Sequence, residues 1–322
     1  MKKFLFLLTI MLSFGFAFAL DCVDSSKVNF FLADKTKGSE LLKEEDDFTN
    51  SLSEFDMSAR LKTSRKVTKE EYLDFISRQT LDWDDVESLY LNVAFTEIKD
   101  LLKKYKIMLP KEIYLVKTTG AEEGDSAYCR KQNVIVLSKN MIRMDSLSAM
   151  EELLIHELFH IFSKNNLDIR EKLYNSIGFY KTKNFTFTGL MAQYKITNPD
   201  SVNNNYYFNT TINGQAEKVM PILLGATDYD ESKGGEFFDY MILAFCAIQE
   251  NEDDCKVKVV NDQNCLYSFS EIPNYLSLVG ENTNYIIHAE EILADNFVLL
   301  VTNSKKVKTK KVITNMKKIL KK

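Results

Sequence analysis

The chain has 322 residues, 45% of them hydrophobic and 27% charged, proportions that are typical of a soluble globular protein. Its 4 Pro and 11 Gly are too few for a collagen-like, linker-rich or disordered chain. The formal net charge is −5, but residues 305–322 hold nine Lys and no acidic residue. Residues 20–304 therefore carry a formal charge of −16, which argues against a nucleic-acid partner.

Residues 1–19 have the pattern of a secretory signal peptide. Lysines at positions 2 and 3 precede an apolar run over 4–18, and Ala17 and Ala19 are the small residues that a signal peptidase reads. The run is short for a membrane span, although a retained N-terminal anchor is the alternative. We predict cleavage after Ala19 and an exported protein, periplasmic or extracellular, with no membrane span once the signal is cut.

Export permits disulfides, and the chain has five cysteines. Cys255 and Cys265 flank a short polar loop and are the first pair to test. An odd number leaves one cysteine unpaired or none paired, so the sequence leaves the pairing open.

The first predicted elements are helical. Residues 20–67 are polar and weakly patterned, so poor order is expected there, and whether this segment acts as a pro-segment stays open. Thr68 followed by Glu71 forms a capping box, which predicts the start of a helix. A longer helix is predicted after Asp82, extending to Tyr105. Two apolar runs, 113–116 and 134–137, are predicted strands.

The second half of the chain alternates between helical and β patterns. A strongly periodic helix is predicted from Asp145 or Ser146 to residues 165–166, with a short helix over 169–177. Residues 185–226 are predicted to be β, since Asn213-Gly214 separates two strand-like runs and favours a hairpin turn. The last predicted elements are a helix over 237–249, another helix over 289–301, and a basic tail over 305–322 with one apolar stripe. This order of elements predicts an α+β fold.

Two of the three histidines form an H-E-x-x-H motif, His156-Glu157-Leu158-Phe159-His160, on the predicted periodic helix. Residues i and i+4 lie on one face of a helix, so both imidazoles can bind one metal ion. Zinc lowers the pKa of a bound water from about 15.7 to about 7. Glu157 lies beside the ligand face, where its carboxylate can accept the proton of that water. The motif therefore predicts a Zn2+ cofactor with Glu157 as general base; two surface histidines with an accidental Glu are the alternative.

A catalytic zinc ion needs a third protein ligand, and the remaining candidates lie near the C-terminus. His288 is the third histidine. Glu291 and Asp295 have E-x-x-x-D spacing, so on a helix Glu291 could bind the metal while Asp295 accepts the far N–H of a ligand histidine. Glu290 competes as third ligand, but the residue four positions later is Ala294, which cannot accept that hydrogen bond.

These two motifs resemble those of the gluzincin metallopeptidases, the thermolysin-like clan. The resemblance implies that His156, His160 and Glu291 are the zinc ligands, that Glu157 is the base, and that Asp295 supports His156. It covers the two short helices and, more weakly, the strand that precedes the first of them.

The resemblance also implies a domain organisation. A zincin-like catalytic domain would occupy residues 68–304, with a β-rich insertion over about 185–226 between the two ligand helices. The gap between those helices is far longer than in thermolysin, and the insertion fills much of it. The segment 288–297 also resembles H-P-E-E-I-x-A-[DE]-N-F of uncharacterised exported bacterial proteins, with Ala289 where they have Pro.

Further roles follow only from the resemblance. Related enzymes use a Tyr or His to stabilise the oxyanion, and the candidates here are His288, Tyr285 and Tyr240, each of which could equally be a packing residue. The strand over 134–137 would form the upper lip of the cleft and pair with an extended substrate, or else be a covered core strand.

The sequence thus predicts an exported zinc-dependent metallopeptidase that hydrolyses peptide bonds in a peptide or protein substrate. The alternative is a non-catalytic exported binding or surface-interaction protein that retains a vestigial zinc site. The basic tail could contact anionic surfaces or be a solvated helix face. Substrate, cleavage preference, the choice between endo- and exopeptidase, and oligomeric state are left open.

Overall fold

The computed structural model describes residues 20–183, 185–202, 205–252 and 254–322. The predicted signal peptide, residues 1–19, lies outside the described residues. The protein is a mixed α/β structure, as the element order predicts. None of the helices in the described ranges combines the length and apolar character needed to cross a membrane.

The helices and strands have the following bounds. The α-helices are α1 (Lys35–Lys43), α2 (Asp47–Ser51), α3 (Glu54–Arg60), α4 (Lys69–Ser77), α5 (Asp85–Leu102), α6 (Leu147–Asn165), α7 (Leu167–Ser176), α8 (Gly189–Tyr194), α9 (Tyr275–Val279), α10 (Ala289–Val301) and α11 (Lys310–Leu320). The strands are β1 (Cys22–Asp24), β2 (Asn29–Ala33), β3 (Thr80–Leu81), β4 (Met108–Pro110), β5 (Glu112–Thr118), β6 (Tyr128–Arg130), β7 (Val134–Ser138), β8 (Tyr180–Lys181), β9 (Tyr206–Ile212), β10 (Gln215–Gly225), β11 (Met241–Glu250), β12 (Cys255–Val257), β13 (Val259–Val260), β14 (Gln263–Asn264) and β15 (Leu266–Tyr267).

The first sheet precedes the H-E-x-x-H helix in the chain. Its strand order is β2-β5-β7-β6, with β2, β5 and β7 parallel, β6 antiparallel to β7, and β3 antiparallel to β5. β7 is an inner strand, paired with β5 and β6, and its side chains are buried along its whole length. The strand over 134–137 is thus a covered core strand, and the edge of the sheet on this side belongs to β6 instead.

The second sheet forms the insertion and is larger than predicted. Its order is β12-β11-β10-β9-β8, with β15 also pairing with β11, so the β region extends from residue 180 to 267 rather than over 185–226. The predicted turn is confirmed: Asn213 and Gly214 have φ of 51° and 80° and join β9 to β10. The helix predicted over 237–249 is wrong. Nine of those residues, 241–249, belong to β11, and residues 237–240 form a short 3-10 turn that leads into it. An apolar run alone does not distinguish a buried strand from a helix.

The N-terminal segment also departs from expectation. Residues 20–67 are not poorly ordered: they supply β1, β2 and three short helices, α1 to α3. The helices are fixed by local side-chain caps rather than by long apolar stripes. Asp34, Asp46 and Ser53 each accept a hydrogen bond from the backbone N–H three residues later. This explains why the segment has little hydrophobic periodicity and is nevertheless ordered.

The other predicted helices are confirmed with small shifts at their ends. Thr68 and Glu71 form the capping box of α4, and α5 begins after Asp84. One hydrophobic cluster joins buried residues of α5, α6 and α10 with β9, β10 and β11, so the insertion packs on the same core as the two helices that carry the sequence motifs. All five cysteines are free, including Cys255 and Cys265.

Candidate metal centre

The H-E-x-x-H motif lies on α6, a helix that is buried for most of its length. Ser146 caps it by accepting a hydrogen bond from the Ala149 N–H at 3.3 Å. The apolar neighbours of the motif are fully buried, which places the polar residues of one face against α10. His156 and His160 lie one turn apart, with ring centroids separated by 4.7 Å.

The second helix, α10, is capped by His288, whose Nδ1 accepts a hydrogen bond from the Glu290 N–H at 3.1 Å. Its bounds, Ala289–Val301, coincide with the predicted helix. Glu291 and Asp295 are one turn apart and face α6. Glu290 also faces α6, where it contacts His160 and Ser163. The structure thus brings together both motifs, which are about 130 residues apart in the chain.

Three ligand atoms converge between the two helices. Glu291 Oε2 lies 3.2 Å from His156 Nε2 and 3.5 Å from His160 Nε2. One ligand atom from each of the three residues can be chosen so that all lie within 4.8 Å of one another. Two ligands bound at about 2.0–2.1 Å from a tetrahedral zinc ion are about 3.3–3.5 Å apart, so these separations fit a zinc ion.

Each histidine is held from behind by its own carboxylate. Asp295 Oδ1 lies 2.9 Å from His156 Nδ1, and Glu290 Oε1 lies 3.1 Å from His160 Nδ1. A hydrogen bond from Nδ1–H fixes the tautomer that leaves Nε2 free to bind a metal. Glu290, which competed with Glu291 as third ligand, therefore faces the opposite nitrogen of His160 and occupies a supporting position like that of Asp295.

The carboxylates are themselves held by neutral donors. Glu290 Oε2 accepts hydrogen bonds from Ser163 Oγ at 2.8 Å and from the Tyr174 hydroxyl. Glu291 Oε1 accepts one from Asn198 Nδ2 at 2.6 Å, which leaves Oε2 directed at the two histidines. Thr283 Oγ1 donates to Asp295 Oδ2. These partners come from α6, α7 and two loops, so the positions of the three carboxylates depend on several parts of the fold.

The protonation of the histidines follows from these contacts. Burial alone would lower the pKa of His156, but hydrogen bonds to Asp295 and Glu291 raise it to about 10. Burial likewise opposes the charge on His160, yet the carboxylates of Asp200, Glu291 and Glu290 hold its pKa well above the usual range. The pKa of Glu291 is lowered, against the effect of burial, by the same two imidazoles. The buried carboxylates thus concentrate negative charge around the two imidazoles, and a bound cation would neutralise it.

Glu157 points to a different set of partners. It is only 3% exposed, and its Oε2 accepts a hydrogen bond from Cys129 Sγ at 3.3 Å. Burial and the nearby Asp200 carboxylate raise the pKa of Glu157 to about 7, while the two histidines act in the opposite direction. A carboxyl group with this pKa can both accept and release a proton near neutral pH.

A cleft of about 510 Å³ opens onto the ligand atoms. Its lining includes both histidines, Glu157 and Glu291 from the two ligand helices, and residues 126–128, which lead into edge strand β6. Segment 196–200 also lines it. The insertion contributes apolar side chains, namely Leu223, Phe237, Phe238 and Met241. The cleft therefore combines a polar metal-ligand set with an apolar wall that lies outside the two motifs.

The three oxyanion candidates lie in different places. Tyr285 lines the cleft, although the residue as a whole is 42% exposed. Partial desolvation in the cleft, together with the carboxylates of Glu291 and Asp200, raises the pKa of its phenol, so the hydroxyl keeps its proton. His288 caps α10, is 6% exposed and contacts Ser201 Oγ rather than lining the cleft. The Tyr240 hydroxyl donates to a backbone carbonyl of the 230–235 loop, so this residue is a packing residue.

Sequence reasoning missed three residues of the site: Cys129, Asn198 and Asp200. Asp200 Oδ1 accepts hydrogen bonds from the Cys129 N–H at 3.0 Å and from Lys164 Nζ at 3.4 Å. None of the three belongs to a motif, and each reaches the site through the folding of a distant segment. The position of Glu290 behind His160 could have been predicted from the sequence of α10. This helix has three carboxylates, enough for one candidate metal ligand and one support for each histidine.

Comparisons with protein-family models, with curated proteins and with solved structures find no significant match to this chain.

Proposed function

We propose that this protein is an exported, zinc-dependent metallopeptidase of the gluzincin type, built on a zincin-like core with a β-rich insertion. The observation that carries the proposal is the convergence of His156 Nε2, His160 Nε2 and Glu291 Oε2 between α6 and α10, in a cleft that also contains Glu157. His156, His160 and Glu291 would hold the ion. A bound zinc ion would polarise a carbonyl group and activate water.

The protein groups around that position have separate tasks. Asp295 and Glu290 keep both imidazoles in the tautomer that presents Nε2 to the ion. Glu157, with a pKa of about 7, accepts a proton from the attacking water and then gives it to the departing amide nitrogen. A purely structural zinc site has no use for an uncoordinated carboxylate in this position, which favours catalysis over the vestigial-site alternative.

Tyr285 is the donor that we assign to the developing oxyanion. It lines the same cleft as Glu157 and Glu291, and its raised pKa keeps the hydroxyl protonated at neutral pH. A hydrogen-bond donor that reaches the oxyanion contributes about 10²–10³-fold to the rate in acyl-transfer enzymes. His288 and Tyr240 are not carried forward in this role, because their polar atoms are engaged elsewhere.

The test combines metal content with hydrolysis of a mixed peptide library, for the wild-type protein and for Glu157→Gln. We expect one zinc ion per chain in both and a loss of activity of about 10²–10⁴-fold in the variant, because general acid–base catalysis contributes that much. Glu152→Gln is the matched control, since Glu152 is an exposed residue of the same helix and should change neither zinc content nor activity.

Two outcomes would contradict the proposal. Equal hydrolysis by the wild-type protein and Glu157→Gln would exclude the mechanism. Zinc that is retained in wild type and lost in His156→Ala, without hydrolysis of any library member, would favour the non-catalytic binding protein instead.

A further inference from the structure

The nine lysines of residues 305–322 are held on a structured part of the molecule. α11 packs Val312, Met316 and Leu320, each at most 4% exposed, against α7 and α10. The side chain of Asn282 accepts hydrogen bonds at 2.9 Å and 2.7 Å from two backbone N–H groups at the start of α11. The orientation of α11 is therefore fixed, and so is the direction in which its lysines project.

The lysines lie together on the solvent side of this helix. Lys310, Lys311, Lys317 and Lys318 are spaced so that they share one face, along a helix about 16 Å long. At its C-terminal end, the Leu320 carbonyl accepts a hydrogen bond from the backbone of residue 106, which brings two further exposed lysines alongside. The lysine face, as we define it, consists of Lys104, Lys106, Lys305, Lys306, Lys308, Lys310, Lys311, Lys317, Lys318, Lys321 and Lys322, all of them exposed.

Few of the lysines in this face are in ion pairs. Within the described ranges, Lys322 is the only lysine of 305–322 in an ion pair, with Asp24 Oδ2 at 2.9 Å. Residues 20–304 carry a formal charge of −16. The molecule thus has one strongly cationic face on an otherwise acidic body, and such a separation of charge orients a protein in front of an anionic surface.

We propose that the lysine face docks this protein onto a bilayer that contains anionic phospholipids. A globular protein touches a planar bilayer only at a tangent, so the lysines can meet the headgroups while the acidic body stays in solution. A flexible polyanion longer than the face would instead meet the acidic surface and be repelled. Juxtaposed lysines near a membrane each add to the attraction, so several together give measurable binding at low salt.

The experiment is co-sedimentation of the full chain with phosphatidylcholine vesicles, with and without phosphatidylglycerol. We expect at least tenfold stronger partitioning to the anionic vesicles, lost in 0.5 M salt because screening shortens the range of the attraction. Replacing Lys310, Lys311, Lys317 and Lys318 together with Gln should reduce the partitioning tenfold or more. Thermal unfolding should stay the same, because all four side chains are exposed.

The matched control removes the same charge from elsewhere, by Gln at four exposed lysines outside the face: Lys35, Lys37, Lys139 and Lys233. This variant should bind anionic vesicles like the wild-type protein. Equal losses in both variants would overturn the proposal, as would equal binding to neutral and anionic vesicles. Binding to polyphosphate or to a DNA oligomer without binding to anionic vesicles would also overturn it, in favour of a soluble polyanion.

Discussion

Glu290 and Glu291 are adjacent, and replacing each in turn with Gln tests whether Glu291 is a metal ligand and Glu290 the support of His160, as we propose. Gln at position 290 keeps the shape and an acceptor for His160 Nδ1 but removes the charge that holds the imidazole. Loss of such a partner typically weakens metal binding about 10–100-fold, or about 1.4–2.7 kcal/mol. Structural zinc sites bind with about 10–16 kcal/mol, so losing one of three ligands should cost about 3–5 kcal/mol. Glu291→Gln should therefore weaken zinc binding about 10²–10⁴-fold.

The assay is a competition titration of zinc against a chromogenic chelator, at fixed pH, for the wild-type protein and both variants. Thermal unfolding of the metal-free forms controls for loss of structure, because both carboxylates are buried. The expected order of affinity is wild type, then Glu290→Gln, then Glu291→Gln. The reverse order of the two variants would refute the assignment of Glu291 as ligand and of Glu290 as the support of His160.

Two further predictions concern stability. Replacing Arg60 with Met leaves the buried carboxylates of Asp56 and Glu123 without their cation, so the free energy of unfolding in urea should fall by about 3–5 kcal/mol; Lys37→Met, at an exposed pair, should cost less than about 1 kcal/mol. Burial lowers the pKa of His288 from 6.5 to about 4, so the unfolded chain binds the extra proton first as the pH falls. Stability should therefore decrease between pH 6.5 and pH 4, and this residue should account for up to about 3 kcal/mol of the decrease. His288→Asn, which keeps a capping acceptor, should lose that part of the pH dependence in denaturation curves, and an unchanged pH dependence would contradict it.

The parts of the fold that could be predicted are those with local causes. The capping box at Thr68, the Asn213-Gly214 turn and the bounds of α10 each depend on residues within a few positions of one another. The helix predicted over 237–249 is wrong because β11 is stabilised by pairing with β10, β12 and β15. The periodicity of the apolar residues gives no information about such pairing. The N-terminal segment was misread because short capped helices have no long apolar stripe.

The candidate site divides in the same way. His156, Glu157 and His160 lie within one motif, and Glu291 and Asp295 within another, so their spacing on two helices could be read directly. Asn198, Asp200 and Cys129 reach the cleft only through tertiary folding, and a single sequence has no signal that pairs them with residues so distant in the chain.

α10 carries three carboxylates of the centre, Glu290, Glu291 and Asp295, within six consecutive residues, and both histidines are on α6. The three candidate ligands and the two carboxylates behind the histidines therefore meet at one contact between two helices. A slide of α10 by one residue, about 1.5 Å, would displace all three carboxylates at once. Core substitutions anywhere along this helix pair, however far from the cleft, should consequently change metal affinity and folding stability together.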